Sequence, residues 1–383
     1  MIIESLYVYP IKGLRGAPLA SAQLTPQGLR HDRRFMLWSL APDGSLKAKI
    51  QVVSHPEVAL FAQVIVGEGG QSVGDDARGD GKSAAEPPSV VVRYLTPEVP
   101  LVPHHPSHDA PLRAPLEPDT AALESVEMTM YGSGATVYRM GEPYDEWFSS
   151  CLGYPAALLY IGDGRRPQLG FRPATRLPKQ SPLRRLISYV SGLIMYVLFL
   201  IGLATRPEDD WIVFTDLAPF LVTSTASLSD ISSRIPDGPV GMHRFRPNIV
   251  VGPGPGSNDD GPSPWAEDFW SQLTISPPPS LRGDTAAAGS TLQMTGNCCR
   301  CVSVNVDYAT GRPSTGTRGD VLKKMMRDRR VDRGQKWSAV FGRYASLLSS
   351  GGAISLGDEV SVRTTSERDV WDWPSWNSKP KEE

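Results

Sequence analysis

Short apolar segments at strand spacing constrain this chain more than any other feature. Residues 1–66 contain LYVYPI, RRFMLWSL and VALFAQVIV, separated by Gly, Pro and Asp, and the pattern resumes in VVVRYL and again from Trp211. Such short runs between turn-forming residues are typical of strands in an antiparallel barrel or sandwich. At 383 residues the chain is long enough for two domains whose cores need no disulfides. We therefore predict a mostly β protein with some helix (α+β), beginning with an N-terminal antiparallel β-barrel domain.

The charge balance and the cysteine content narrow the class of protein. The chain has 39 basic and 41 acidic residues, a formal charge of −2, so no global field favours nucleic acid. It has four cysteines, and its first residues, MIIESLYVYPIKG, alternate like a strand and lack the zones of a secretory leader. A disulfide scaffold is therefore not expected, and an intracellular, cytosol-facing location fits best.

Low-complexity segments divide the chain. Residues 67–89 have almost nothing to bury and are predicted to be a disordered insertion. Helical spacing predicts a helix in EPYDEWFSSCLG, ending at Gly153 with Cys151 buried, and a second helix in TASLSDISSRI. The boundaries we predict are an N-terminal domain over 1–135, a connecting helix and strand over 136–175, an insertion over 176–210, a second domain over 211–363 and a tail over 364–383.

One apolar segment, residues 186–204, has no charge over roughly the length needed to cross a bilayer, and basic residues precede it at Lys179, Arg184 and Arg185. A single span would separate the sequences on its two sides, which is impossible if both belong to one fold. Three alternatives remain: a re-entrant or interfacial segment, a hairpin anchor, and a helix buried in the core. We favour membrane association, because the flanking sequences look like the ends of an insertion.

Two polar segments have open roles. Three of the six histidines lie within residues 103–108, but no carboxylate or thiol is spaced as a partner, so we predict a solvated loop rather than a metal site. The charged segment VLKKMMRDRRVDRGQ, residues 321–335, is predicted to be a helix or loop that is either a solvated face or an anion-contacting surface.

Three of the four cysteines, Cys298, Cys299 and Cys301, lie together at the start of VSVNVD, which alternates like a strand. This close spacing would strain an internal disulfide. Zinc or an iron–sulfur cluster would have to recruit Cys151 or a remote histidine. Arg300 is adjacent, and a cationic neighbour lowers the pKa of a thiol. The residues alone leave two alternatives, a reactive or metal-binding thiolate and an ordinary buried cysteine.

Five stretches of the sequence, taken together and in this order, resemble the MOSC family with its N-terminal β-barrel partner domain. They are LYVYPIKGLRG, GLRHDRRFML, FTDLAPFLVTSTASL, FRPNIVV followed by WAEDFW, and CCRCVSVNVDYATGRP. This family includes the mitochondrial amidoxime-reducing component and bacterial relatives. The resemblance implies a C-terminal MOSC β-barrel that binds the molybdenum cofactor and reduces N-hydroxylated compounds such as amidoximes and hydroxylamines. It also implies a location at the mitochondrial outer membrane.

The resemblance further implies the site residues. Cys301 matches the family's metal ligand, a role for which a soft thiolate is suited, and Cys298 matches a supporting cysteine. Lys12 and Arg33 match cationic contacts to the pterin and phosphate. Asp216 matches a cofactor contact and is expected, with a bound water as the alternative, to deliver a proton. The other implied contacts are Gly13, which replaces a serine, Thr215, Leu217, which replaces a polar residue, Arg246, Asn248, Cys299 and Arg300.

The electrons would come from outside, because the chain shows no flavin, nicotinamide or haem fingerprint. By resemblance, the donors are a small b-type cytochrome and its flavin reductase. The second hypothesis is a cofactor-binding or sulfur-carrier MOSC module without reductase activity, and the third is a membrane-attached binding protein with a degenerate site. Pyridoxal phosphate binding has been suggested for the wider family, but no lysine context here supports a Schiff base.

Overall fold

The computed structural model describes residues 1–67, 87–168, 211–254, 261–281, 289–348 and 352–370. Most of the predicted disordered insertion, the whole apolar segment 186–204 and residues 371–383 of the tail lie outside these ranges. Within the described part of the chain, no helix has the length and apolar character needed to cross a membrane.

Strands dominate the structure, which confirms the mostly β prediction. The strands are β1 (Ile2–Val8), β2 (Ile11–Lys12), β3 (Ala17–Leu19), β4 (Ser21–Thr25), β5 (Gly28–Leu29), β6 (Phe35–Leu40), β7 (Leu46–Lys49), β8 (Phe61–Val66), β9 (Ser89–Tyr94), β10 (Leu112–Pro115), β11 (Glu124–Met130), β12 (Ser133–Arg139), β13 (Ala156–Tyr160), β14 (Arg166–Pro167), β15 (Trp211–Ile212), β16 (Phe220–Ser224), β17 (Ile249–Gly252), β18 (Trp270–Ser276), β19 (Ser290–Cys299), β20 (Val306–Asp307), β21 (Arg312–Pro313), β22 (Val340–Leu347), β23 (Ala353–Ser355) and β24 (Glu359–Thr364). The α-helices are α1 (Tyr144–Leu152), α2 (Thr225–Ser233) and α3 (Val321–Met325).

Seven strands form a closed barrel, six of them from the C-terminal half of the chain. Their order is β17, β16, β22, β19, β18, β24 and β1, and β1 pairs back to β17. The pairings are antiparallel except for β16 with β17, which is parallel. The strand that completes this barrel is therefore the first strand of the chain.

The sequence of β1 shows how it fits. Ile3 pairs with Val251 and Leu6 pairs with Ile249, and the register shifts between Ile3 and Ser5. A shift of this kind inserts one extra residue, so the buried positions Ile3 and Leu6 lie three apart instead of two.

The N-terminal half forms two further sheets. One has the order β11, β12, β13, β6 and β2, with β7 also paired to β6, and the other is a meander of β8, β9 and β10. A single cluster of buried apolar side chains extends from Phe148 in α1 through Phe35 to Leu273 in the barrel. The core is thus continuous between the halves. We retain 1–135 and 211–363 as the proposed domain limits, with β1 contributing to both.

Both predicted longer helices are confirmed. The first, α1, buries Trp147, Phe148 and Cys151 and ends at Gly153, whose φ of 80° is left-handed. The second, α2, begins after Ser224, whose hydroxyl accepts a hydrogen bond from the Ser227 amide at 3.2 Å.

The cysteine stretch differs from its prediction. Cys298 and Cys299 end β19 rather than opening a strand, and Val302–Asn305 forms a 3₁₀ helix, so the strand predicted for VSVNVD is wrong except at β20. The reason is packing: Val304 is fully buried in a cluster with Phe245 and Phe341, while Val302 is exposed. A regular strand would place these two side chains on the same face.

The histidine segment also differs in part. His104 and His105 are exposed, as predicted for a solvated loop, but His108 is buried, with its ring 4.9 Å from that of Tyr94. The local 3₁₀ turn Pro106–His108 points this side chain inward. Among the residues that the structure describes, no group of three or more His, Cys, Asp or Glu side chains is arranged to hold a metal ion.

The closing role of β1 predicts a stability effect. Ile3 is 0% exposed, so Ile3→Ala should lower the free energy of unfolding by about 2–5 kcal/mol, because it leaves a cavity where the barrel closes. Glu4→Ala, at an exposed position of the same strand, should change it by less than about 0.5 kcal/mol. Urea unfolding followed by tryptophan fluorescence measures both variants, and equal effects would contradict the assigned packing of β1.

Candidate functional site

One pocket lies where the two halves of the chain meet. Its lining includes nine of the predicted site residues, namely Lys12, Arg33, Thr215, Asp216, Arg246, Asn248, Cys299, Arg300 and Cys301. Cys298, Ser303 and Tyr344 also line it. The pocket thus combines residues from the segment after β1 with residues from three loops of the barrel.

An ion pair connects the halves at this pocket. Lys12 is buried, and its ammonium contacts the Asp216 carboxylate and donates a hydrogen bond to the Phe214 carbonyl at 2.6 Å. Tyr131, in the turn between β11 and β12, donates its hydroxyl to the same Asp216 oxygen at 3.2 Å. The half-exposed Asp216 carboxylate therefore accepts from both a cation and a phenol.

This arrangement shifts the pKa values of all three groups. Removal from water would by itself raise the pKa of Asp216, but the charge and hydrogen bond of Lys12 lower it well below its usual range, with help from Arg33. Burial lowers the pKa of Lys12 to about 8, and Asp216 opposes this shift only in part. Burial and the charge of Asp216 raise the pKa of Tyr131. At neutral pH the carboxylate is ionised, and Lys12 and Tyr131 hold their protons.

A fully buried arginine, Arg166, stabilises the two turns that carry Asp216 and Tyr131. The Arg166 guanidinium donates to the Thr215 carbonyl at 2.9 Å and to the Ser133 hydroxyl at 3.0 Å. It therefore connects the turn that bears Asp216 with the hairpin that bears Tyr131. Burial lowers the pKa of Arg166 to about 10. Removing this side chain would leave several buried backbone acceptors without a donor.

A second network holds Arg33. Its guanidinium contacts the Asp32 carboxylate and donates to the Asn248 side-chain oxygen at 3.1 Å. Asp32 is buried and also accepts from the Tyr9 amide at 2.8 Å and from the Asn248 side-chain nitrogen at 3.1 Å. The guanidinium groups of Arg33 and Arg246 each lie 4.5 Å from the centre of the Tyr9 ring. Asp32 and Tyr9 thus hold two cations close together at the pocket.

The backbone at both arginines is unusual. Arg33 has a φ of 51° and Arg246 has a φ of 55°, values that residues other than glycine rarely adopt. Arg246 donates to the carbonyls of Gly13, at 3.2 Å, and Leu14, at 2.7 Å. Left-handed residues of this kind cost free energy and cluster at functional sites, where surrounding contacts hold them.

The cysteines occupy three different environments. Cys298 is buried and accepts a hydrogen bond from Arg300 at 2.9 Å, and Arg300 also donates to the Phe245 carbonyl at 2.9 Å. Burial raises the pKa of the Cys299 thiol well above its usual range. Cys301 is exposed, and its sulfur lies 3.1 Å from the Ser303 hydroxyl. Only Cys301 therefore combines a place on the pocket wall with an exposed sulfur.

Two predicted residues are placed differently from the rest. Gly13 does not line the pocket, and its φ of 97° is one that only glycine adopts readily, which accounts for the residue type there. Leu217 is buried in an apolar cluster with Leu221, Cys298 and Tyr344 rather than lining the pocket. Gly13 therefore contributes to the shape of the backbone, and Leu217 contributes to the packing behind the pocket.

Sequence reasoning missed Tyr9, Asp32, Tyr131, Arg166 and Tyr344. Asp32 lies inside the quoted stretch GLRHDRRFML, where a carboxylate beside three arginines was the available signal. Tyr131 contacts Asp216 and Arg166 contacts Thr215 across long separations in the sequence, and no local pattern in the sequence indicates these contacts.

Comparisons with known proteins agree with this organisation. The family model of the MOSC domain matches residues 209–361, and that of the MOSC N-terminal beta barrel domain matches residues 1–155. Mitochondrial amidoxime-reducing component 1 of Homo sapiens is 26% identical over 364 residues, which cover 94% of this chain and 82% of the relative. The protein of the same name from Mus musculus is 25% identical over 362 residues, covering 94% and 81%. Molybdenum cofactor sulfurase of Oryza sativa subsp. japonica is 24% identical over 321 residues, covering 81% of this chain but 29% of the relative.

The ion pair predicts a titration. In protein labelled with ¹³C-lysine, the Lys12 signal, assigned by its loss in Lys12→Arg, should titrate with a midpoint of about 8. Asp216→Asn should lower this midpoint, because it removes the charge that opposes the effect of burial. Asp43→Asn, which alters an exposed carboxylate in the turn between β6 and β7, should leave it unchanged. A Lys12 midpoint at the ordinary value of 10.5 would contradict the burial of the Lys12 ammonium.

Proposed function

Because the chain belongs to the MOSC family and has the family's N-terminal β-barrel domain, we propose that it is a molybdenum-cofactor-dependent oxidoreductase that reduces N-hydroxylated compounds. A function related to the molybdenum cofactor follows from the family and its relatives. The observation that supports the finer proposal is the pocket itself, in which an exposed thiol lies among four cationic side chains, Lys12, Arg33, Arg246 and Arg300. Relatives named for amidoxime reduction match 94% of the chain.

The side chains of the pocket fit such a cofactor. The Thr215 hydroxyl oxygen and the Arg300 Nε are buried at the pocket and have no hydrogen-bond partner among the described residues. A buried polar atom left in this state costs about 1–3 kcal/mol, so both atoms favour a polar ligand at this place. The donor set also fits chemically, because cations suit a phosphate and a soft sulfur suits molybdenum.

We assign the residues of the pocket to two tasks. Cys301 would be the protein's ligand to the metal, and Arg33 and Arg246 would bind the anionic parts of the cofactor. When bound, the cofactor would supply a redox centre that exchanges two electrons with the substrate. Arg300 would fix the cysteine loop through its hydrogen bonds to Cys298 and Phe245.

The reaction also needs protons. An amidoxime takes up two electrons and two protons, its N–O bond breaks, and an amidine and water result. The low pKa of Asp216 disfavours the direct proton delivery expected from the sequence, since this carboxylate is ionised at neutral pH. We assign to Asp216 the orientation of Lys12 and Tyr131, and to the Lys12 Nζ, with a pKa of about 8, the donation of a proton to the leaving oxygen.

The electrons would come from an external donor. We retain as proposals a small b-type cytochrome and its flavin reductase, and a membrane contact through residues 186–204. A mitochondrial location likewise comes to this chain only from the names of its relatives.

A second candidate function is a cofactor carrier or sulfur-transfer module. It is favoured by the match to molybdenum cofactor sulfurase, in which the matched region is less than a third of the relative. Both candidates need Cys301 and the cationic pocket. They differ in whether the protein reduces an N–O bond.

The test measures metal and activity together. Protein purified from cells that make the cofactor should contain about one molybdenum per chain and reduce benzamidoxime with a chemical reductant. Cys301→Ala should lose both properties, because it removes the proposed metal ligand.

Cys151→Ala is the matched control, since this buried cysteine lies in α1, away from the pocket. It should keep both metal and activity. Metal without benzamidoxime reduction would favour the carrier, and metal-free protein from cofactor-competent cells would exclude both candidates.

A further inference from the structure

A strongly basic surface segment lies beside the pocket. Residues 322–336, which we call the basic rim, contain seven Lys or Arg and two Asp, in a chain whose formal charge is −2. Five of the basic side chains are exposed, namely Lys323, Arg327, Arg330, Arg333 and Lys336. The positive charge of the rim is therefore local and faces solvent.

The acidic residues of the rim leave most of this charge in place. Asp328 pairs with Arg234, outside the rim, at 2.7 Å. Asp332 is buried and accepts a hydrogen bond from Asn297 at 2.9 Å. Among the residues that the structure describes, Lys323 has a carboxylate within 4.0 Å, Asp320 at 3.9 Å, and no such contact with a described carboxylate is seen for the other four. Those four exposed cations can attract an anionic surface.

Both ends of the rim lie against the cysteine loop. At its start, the Leu322 amide donates to the Asn305 side chain at 3.0 Å. Just beyond its end, the Arg300 amide donates to the Ala339 carbonyl at 2.8 Å. Asn305 and Arg300 flank Cys301 in the sequence, so both ends of the rim are held against the loop that bears this cysteine.

Two exposed apolar side chains lie in the same region. Trp337, immediately after the rim, is 73% exposed, and Val302, immediately after Cys301, is 54% exposed. Protein interfaces are enriched in tryptophan and arginine, and the ammonium of the exposed Lys336 lies 5.9 Å from the centre of the Trp337 ring. An ordinary solvated face would lack exposed apolar side chains such as Trp337 and Val302 beside its charges.

We propose that the basic rim, together with the exposed Trp337 that follows it, is the docking surface for an electron-donating protein with an acidic face. This inference rests on the function proposed above, which requires two electrons from outside for each N–O bond reduced. A one-electron haem protein would dock twice per turnover, and each time its haem would be oxidised by one electron. Electron transfer weakens steeply with distance, so a donor must approach the exposed Cys301 rather than a remote face.

The test uses charge reversal at the four exposed cations of the rim other than Lys323. The variant Arg327→Glu, Arg330→Glu, Arg333→Glu, Lys336→Glu should lower kcat/KM for the reduced soluble domain of an acidic b-type cytochrome by about 10-fold or more, because electrostatic steering is lost. The decrease of wild-type kcat/KM with added salt should become shallower in the variant. Turnover with a small viologen donor should change by less than about twofold, because this donor needs no docking surface.

A matched control reverses the same number of charges elsewhere. Lys47→Glu, Arg93→Glu, Arg113→Glu, Arg363→Glu alters exposed positions outside the rim and should leave kcat/KM for the cytochrome within about twofold of wild type. Trp337→Ala should raise KM for the cytochrome several-fold without changing turnover with the viologen. Equal losses in the rim variant and the control would overturn the proposal.

Two further outcomes separate the proposals. If the wild type fails with the viologen, the reductase function fails, and the docking surface is then decided by binding of the cytochrome alone, which the rim variant should weaken. If the rim variant binds the cytochrome like wild type but loses binding to vesicles containing anionic lipid, the surface is for a membrane and the proposal is wrong.

Discussion

The pairing of β1 with β17 is the interaction on which the pocket depends. It makes the first strand of the chain part of the barrel wall, and the Tyr7 amide donates a hydrogen bond to the Asn248 carbonyl at 2.9 Å. After β1 the chain continues into β2, where Lys12 contacts Asp216 in the turn before β16. The N-terminal half supplies Lys12 and Arg33 to the pocket, and the C-terminal half supplies Arg246, Arg300 and Cys301. The pocket exists because one strand belongs to both halves.

The cations of the pocket are paired before any ligand binds. Lys12 contacts Asp216, and Arg33 contacts Asp32, while Arg246 donates to backbone carbonyls. Isolated charges would be costly to bury, so these partners stabilise the folded chain. They also fix the direction of each donor, which reduces the reorganisation that binding an anionic group would require. The lowered pKa of Lys12 shows that this compensation is incomplete. Added negative charge from a ligand would raise it.

Much of the site could be predicted from the sequence because its residues lie in short stretches of distinctive composition. Nine of the predicted residues line one pocket, and Gly13 and Leu217 do not. The strand predicted for VSVNVD was wrong, because alternation cannot distinguish a strand from a short 3₁₀ turn whose Val304 packs inward. Arg166 was missed because its burial depends on hydrogen bonds to two distant turns.

The charges of the pocket and of the basic rim differ in solvent exposure, and this difference suits the different roles proposed for them. Lys12 and Arg33 are largely withdrawn from water, so salt screens their interactions only weakly. Arg330 and Arg333 in the rim are exposed, so salt should weaken their attraction for a partner strongly. A cofactor must stay bound through many turnovers, whereas a one-electron donor must leave after each transfer. Buried, pre-paired cations suit the first requirement, and exposed, screened cations suit the second.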